Sequence, residues 1–162
     1  MISSGDELPN PSFVVRYVGY SRMATDCDGV VTGPKYSAFE QTSKEDYLSV
    51  AWCEFFDGAP ETALRCAIEA VRNSKIDVKS QACFCVANTE DLRNAATKYG
   101  GGGRAVFWPE EDNPAHAGIY GFSPENIILL EFLATDTWST FYTKQSADIL
   151  PLSACKKASN VA

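Results

Sequence analysis

The sequence predicts an α+β domain with a mostly antiparallel or mixed sheet and about three helices. Three observations carry this: short runs rich in β-branched and aromatic residues, segments with apolar residues at helical spacing, and Gly, Pro or Asp clusters between them. At 162 residues the chain has the size of one domain, so a single core is expected over residues 13–143. A flexible lead-in at 1–12 and a tail at 144–162 flank it.

The elements follow in order. Residues 1–11 carry Ser, Gly, Asp and Pro with little periodicity and read as mobile. Phe13 to Val18 is β-branched and aromatic, which suits a strand containing Arg16, and Cys27-Asp28-Gly29 marks a turn. From Ser43, the order Ser-Lys-Glu-Asp offers a helix start, whereas Tyr47-Leu48-Ser49-Val50 has strand character, so this region reads as mixed. A clearer helix is predicted from Pro60 to Asn73, with Leu64, Ala67, Ile68 and Val71 inward and Arg65, Glu69 and Arg72 on the wet face.

Gln81 to Ala87 reads as a buried strand, and Asn88-Thr89-Glu90-Asp91 opens a helix that ends at Tyr99, before four glycines. Arg104 to Trp108 is another strand, Pro109 to Pro114 an acidic loop, and Ala115 to Gly121 a short strand. Ser123-Pro124-Glu125 then opens a helix with Ser123 as N-cap and an apolar side of Ile127, Ile128, Leu130 and Leu133. Past Thr135 come Trp138, Phe141 and Tyr142, then Ala, Ser and Lys. No internal repeat is visible.

Composition excludes several function classes. Apolar residues make up 45% and charged residues 22%, so the chain can bury a core. The net charge of −7 repels phosphate backbones and anionic lipid, and the one basic pair, Lys156 and Lys157, is too sparse to track a nucleic acid; no nucleic-acid partner is expected. The most apolar run, Ile127 to Ala134, is broken by Glu131 and far shorter than a membrane span, and Met1 to Asn10 has no signal-peptide core. A cytoplasmic protein without membrane contact is expected. Six cysteines (27, 53, 66, 83, 85 and 155) therefore read as reduced thiols. On a strand, Cys83 and Cys85 share a face, but with one histidine in the chain and no Cys-x-x-Cys pair no metal site is predicted, and no cofactor.

The four glycines follow a helix C-terminus and lead into a strand without Lys-Ser/Thr, so they read as a helix-ending turn rather than a phosphate loop. His116 is the best single candidate for chemistry, because its side chain titrates near neutrality and Glu110, Glu111 and Asp112 precede it. The favoured reading is structural: the acidic loop is solvated, and the ring bonds a backbone group to hold the turn after Pro114. Ser49 lacks the glycine-flanked turn that exposes a serine nucleophile and reads as bonding locally. Cys53 or Cys66 paired with His116 would suit a thiol enzyme. The order of Arg16, a mid-chain serine and a later glutamate is similar to that of ADP-ribosyltransferases, whose Ser-Thr-Ser and Glu-x-Glu elements are missing here. The candidate catalytic residues are thus His116, Glu111 and Arg16.

Taken together, Gly29-Val30, Ala38-Phe39, Leu48-Ser49-Val50-Ala51-Trp52 and Asn113-Pro114-Ala115-His116-Ala117-Gly118-Ile119-Tyr120-Gly121 resemble a group of small bacterial proteins of unassigned activity. These carry Ala-Phe, Leu-Ser-Val and Asn-Pro-Ala/Ser-His-Ala motifs. The resemblance spans Arg16 to Leu133, and Gly118 stands where the group has an acidic residue. It implies a bacterial protein, encoded beside a partner in a defence or toxin-type unit. The first functional expectation is a non-enzymatic binding or accessory protein whose protein partner or second copy covers Trp138, Phe141 and Tyr142. The alternative is a small transferase or hydrolase using His116 with Glu110 or Glu111.

Overall fold

Period-two alternation places every second side chain of a strand on the same face. Here it sorts one broad sheet into a core face and a site face. The computed structural model describes residues 1–41 and 44–162, so a helix start at Ser43 lies outside the described residues. The strands are β1 (Phe13–Val18), β2 (Met23–Thr25), β3 (Val31–Pro34), β4 (Leu48–Trp52), β5 (Cys83–Asn88), β6 (Arg104–Phe107), β7 (His116–Tyr120) and β8 (Thr140–Thr143). Six form a sheet in the order β6-β7-β4-β1-β5-β8 with every neighbouring pair antiparallel, and β2 and β3 form a separate hairpin. Among the described residues, four α-helices complete the α+β domain: α1 (Pro60–Arg72), α2 (Thr89–Tyr99), α3 (Ile127–Phe132) and α4 (Lys144–Ile149).

The two longer helices form where capping and apolar spacing agree. Pro60 starts α1 with the fixed φ that suits a first turn, and Ala63, Cys66, Ala67, Ile68 and Val71 are buried. Asn88 caps α2 by accepting the Glu90 N–H, and Gly100 ends it at φ 84°, a left-handed conformation that disfavours side chains. Between β4, β6 and β7, Trp52 meets Phe107 edge to face at 5.3 Å, and Phe39 stacks on Trp138 at 4.9 Å. Each of these wholly buried rings contributes roughly 1.5–3 kcal/mol by leaving water.

Several expectations are corrected. Arg65 is buried rather than on the wet face of α1: its Nη1 donates to the Ala147 carbonyl at 2.7 Å, and with Glu69, Arg72 and Asp148 it fastens α4 to α1. The first twelve residues are docked rather than free, since Leu8 is buried and its N–H donates to the Ala105 carbonyl, while Glu7 bridges Val106 and Ile2 bridges Val161. The segment after residue 143 opens with α4, capped by Thr143, and then runs back along the molecule, where Asp57 N–H donates to Lys156 and Ala158 N–H to Phe55. α3 begins later than Ser123 suggests, capped by Asn126, and turns Leu129, Leu130 and Leu133 inward while Ile128 is 68% exposed. Trp138 belongs to the core. Cys66 and Cys155 form a disulfide, which overturns the reading of six reduced thiols; Cys27, Cys53, Cys83 and Cys85 are free.

The position that most constrains the site face is Gly118, opposite Ser49 in the β4–β7 ladder. A Cβ there would lie 2.0 Å from a Trp108 ring atom and 2.7 Å from Tyr47, so the aromatic layer lies directly on bare backbone. Gly118→Ala should cost about 1–3 kcal/mol, read as a lower urea midpoint, because two rings must move to admit one methyl group. An unchanged midpoint would show that they give way freely. Titration of thiols in denaturant without reductant should count four rather than six; six would restore the reduced reading.

Candidate active site

His116 is held by its backbone before its ring is considered. Asn113-Pro114-Ala115-His116 makes a turn closed by the His116 N–H donating to the Asn113 carbonyl at 2.9 Å, with Pro114 at the position where a fixed φ suits the turn. Trp52 N–H then donates to Ala115, and Trp108 N–H to the His116 carbonyl at 3.0 Å. The ladder pairs Ala51 with His116 and Ser49 with Gly118, so Ser49 and His116 are diagonal neighbours on one face.

The missing side chain at 118 leaves room for the Trp108 and Tyr47 rings that stand around the imidazole. Ser49 Oγ lies 3.0 Å from His116 Nε2. Tyr47 and Trp108 stand around the ring, with centroids at 5.7 and 6.1 Å, and His116 is only 4% exposed. On its other side, Glu110 Oε1 lies 3.1 Å from Nδ1. The carboxylate is off the line of the ring N–H, so Nδ1 lacks a directed hydrogen bond and the contact is one of charge. Burial lowers the His116 pKa, and the charge of Glu110 opposes that. The ring is therefore neutral at pH 7. The acceptor-only carboxylate beside Nδ1 and the hydroxyl beside Nε2 assign the proton to Nδ1, leaving Nε2 to accept from Ser49.

Arg16 supports Ser49 from behind. β1 and β4 pair at Val14–Trp52 and Val15–Ala51, and just beyond that the Arg16 guanidinium donates to the Ser49 carbonyl at 3.0 Å and to the Ala38 carbonyl at 2.8 Å. Burial brings its pKa down to about 10, partly offset by Glu45, so it stays charged. A cavity of about 360 Å³ lies here, lined by Ser49, Arg16, Arg22, Glu45 and Asn113 among others. The arrangement puts a half-buried Ser49 in the lining of a cavity, with a neutral base on its hydroxyl and a carboxylate behind the base.

Of the predicted residues, His116 sits at the centre and Arg16 holds the Ser49 backbone. Glu110, not Glu111, faces the ring; Glu111 is exposed. The ring bonds a hydroxyl rather than backbone, and Ser49 bonds 67 residues away rather than locally, which corrects both expectations. Cys66 is tied to Cys155, and the Cys53 thiol is buried and its pKa pushed well up by burial, so neither is an activated thiol. Cys83 and Cys85 are buried free thiols on one face of β5. No group of three or more His, Cys, Asp or Glu able to hold a metal ion occurs among the described residues, nor does a helix long and apolar enough to cross a membrane. No family model matches the chain, and no curated protein or solved structure is similar to it.

A lowered histidine pKa makes stability depend on pH in a defined direction. Below about pH 6.5 the unfolded chain takes up a proton that the folded ring resists, so the contribution is complete above that pH and is lost as pH falls. Urea midpoints of the wild type should fall between pH 7 and 5 by more than those of His116→Gln. Parallel curves would contradict a neutral buried ring.

Proposed function

We propose that this protein is a small hydrolase or transferase in which Ser49 is the nucleophile and His116 the general base. The observation that supports it is the 3.0 Å contact of Ser49 Oγ with His116 Nε2, with Glu110 at the opposite ring nitrogen. In an acyl-transfer step, Oγ forms a bond to the substrate carbonyl carbon while its proton passes to Nε2. The imidazolium, stabilised by Glu110, returns that proton to the leaving group, and water or a second acceptor then releases the acyl group by the same base. Arg16 acts as a positioning residue, fixing the Ser49 main chain.

The reading as a non-enzymatic binding or accessory protein rested on the lack of a convincing catalytic set in the sequence and on Trp138, Phe141 and Tyr142. Trp138 is fully buried and the other two are half-buried in β8, so the aromatic surface it called on is largely internal. A bacterial setting beside a gene partner stays part of the proposal, whereas the Cys66–Cys155 disulfide fits an oxidising compartment better than the cytoplasm, which would keep the two thiols apart.

The test is turnover of short-chain p-nitrophenyl esters, with labelling by an alkyl fluorophosphonate located by peptide mass spectrometry. Label is expected on Ser49, with Ser49→Ala reducing turnover by about 10⁴-fold or more and His116→Gln by about 10²–10⁴-fold. Glu110→Gln should fall between His116→Gln and the wild type, because its carboxylate is off-axis. Folded Ser49→Ala that turns over ester as fast as the wild type, or a folded wild type that takes no label at Ser49, would end the proposal.

A further inference from the structure

A second apolar cleft lies away from Ser49. It has a volume of about 620 Å³, within the range of about 300–1,000 Å³ that small-molecule sites occupy. Separate parts of the chain build it: Phe13 at the start of β1, residues 53–64 leading into α1, the junction of β5 with α2, residues 136–142, and the returning C-terminal segment with Ala158 and Asn160. Its floor is apolar, including Phe56, Ala63, Leu64 and Val86.

Its charge is one-sided. Glu54, Asp57, Glu61, Asp91 and Asp136 line it, no lining residue is basic, and none of the five forms an ion pair among the described residues. Glu54 is fixed in place, both oxygens lying 3.0 Å from the Phe13 nitrogen, and desolvation pushes its carboxyl up, the cost of holding a charge against an apolar wall. Thr137 adds a second kind of signal. It lines the same cleft, is only 9% exposed, and its hydroxyl makes no hydrogen bond within the fold. Its oxygen is not one of the buried unpartnered atoms, so the hydroxyl is open to a partner from outside the fold, beside Asp136 in the cleft lining.

An apolar floor, a rim of uncompensated carboxylates and an unused hydroxyl together fit a ligand with a hydrocarbon body and a cationic head. We propose that this cleft binds small organic cations, amines or guanidines carrying an aryl or alkyl group. The ammonium sits among the carboxylates and donates to the Thr137 hydroxyl, and the hydrocarbon covers the floor. Like-charged walls with low-dielectric backing concentrate such cations before contact.

Isothermal titration with three isosteric probes tests this: 4-phenylbutylamine, 4-phenylbutanol and 4-phenylbutyrate. The amine should bind, the alcohol at least tenfold more weakly, and the carboxylate not at all, with amine affinity falling as salt rises. Asp57→Asn and Asp136→Asn should each weaken the amine about fivefold, as expected for losing one charge near 4 Å in a well-hydrated site, whereas Asp28→Asn, an exposed change outside the cleft, should leave it unchanged. All three positions are exposed, so these variants keep the fold. Equal binding of amine and alcohol, no binding of any probe to folded protein, or an equal loss in Asp28→Asn would overturn the proposal.

Discussion

The contact between Ser49 and His116 exists because β4 and β7 pair with Ser49 opposite a glycine. Any larger residue at 118 would occupy the space in which the Trp108 and Tyr47 rings lie, the two rings that stand around the imidazole. A slip of one residue in that register would send Ser49 to the opposite face and part the pair altogether. The register is in turn fixed outside the ladder, by the Asn113–His116 turn and by the bonds from Trp52 and Trp108 that hold Ala115 and His116. The chemistry proposed for this protein therefore rests on strand pairing before it rests on any side chain.

Much of the fold was legible in the sequence because local signals and burial agree there. Phe13 to Val18 is a strand at both levels, and Pro60, Asn88 and Gly100 mark helix ends by conformational preference alone. The ends of the chain were not legible: residues 1–12 and 144–162 look solvated by composition, yet long-range hydrogen bonds and a disulfide hold them. Arg65 reads as a surface residue until α4 arrives to accept its hydrogen bonds. In α3 the apolar run is nearly continuous, so periodicity could not say which isoleucines face water.

The site shows the same division. His116 could be found as the sole histidine, and its acidic neighbours as a loop run. Which carboxylate turns inward depends on loop geometry, and that proved to be Glu110. Ser49 carried no signal of its own, because its partner is set by a register that a single sequence does not encode locally. The cavity at Ser49 and the acidic cleft share no lining residue. Phe13 at one end of β1 and Pro60 at the start of α1 belong to the cleft, while Tyr17 and Val71 toward the other ends belong to the cavity. One rigid strand and helix pair thus spans both. The sheet keeps a basic guanidinium and a neutral base at one end while unpaired carboxylates gather at the other.

Because the chain has a single histidine, the nitrogen NMR spectrum of its imidazole reports directly on the proposed base. At pH 7 the ring should be neutral with its proton on Nδ1, should titrate below the ordinary histidine value, and should show a changed Nε2 shift in Ser49→Ala. A ring protonated on Nε2, one that titrates above the ordinary value, or an Nε2 shift indifferent to the loss of Ser49 would contradict the account.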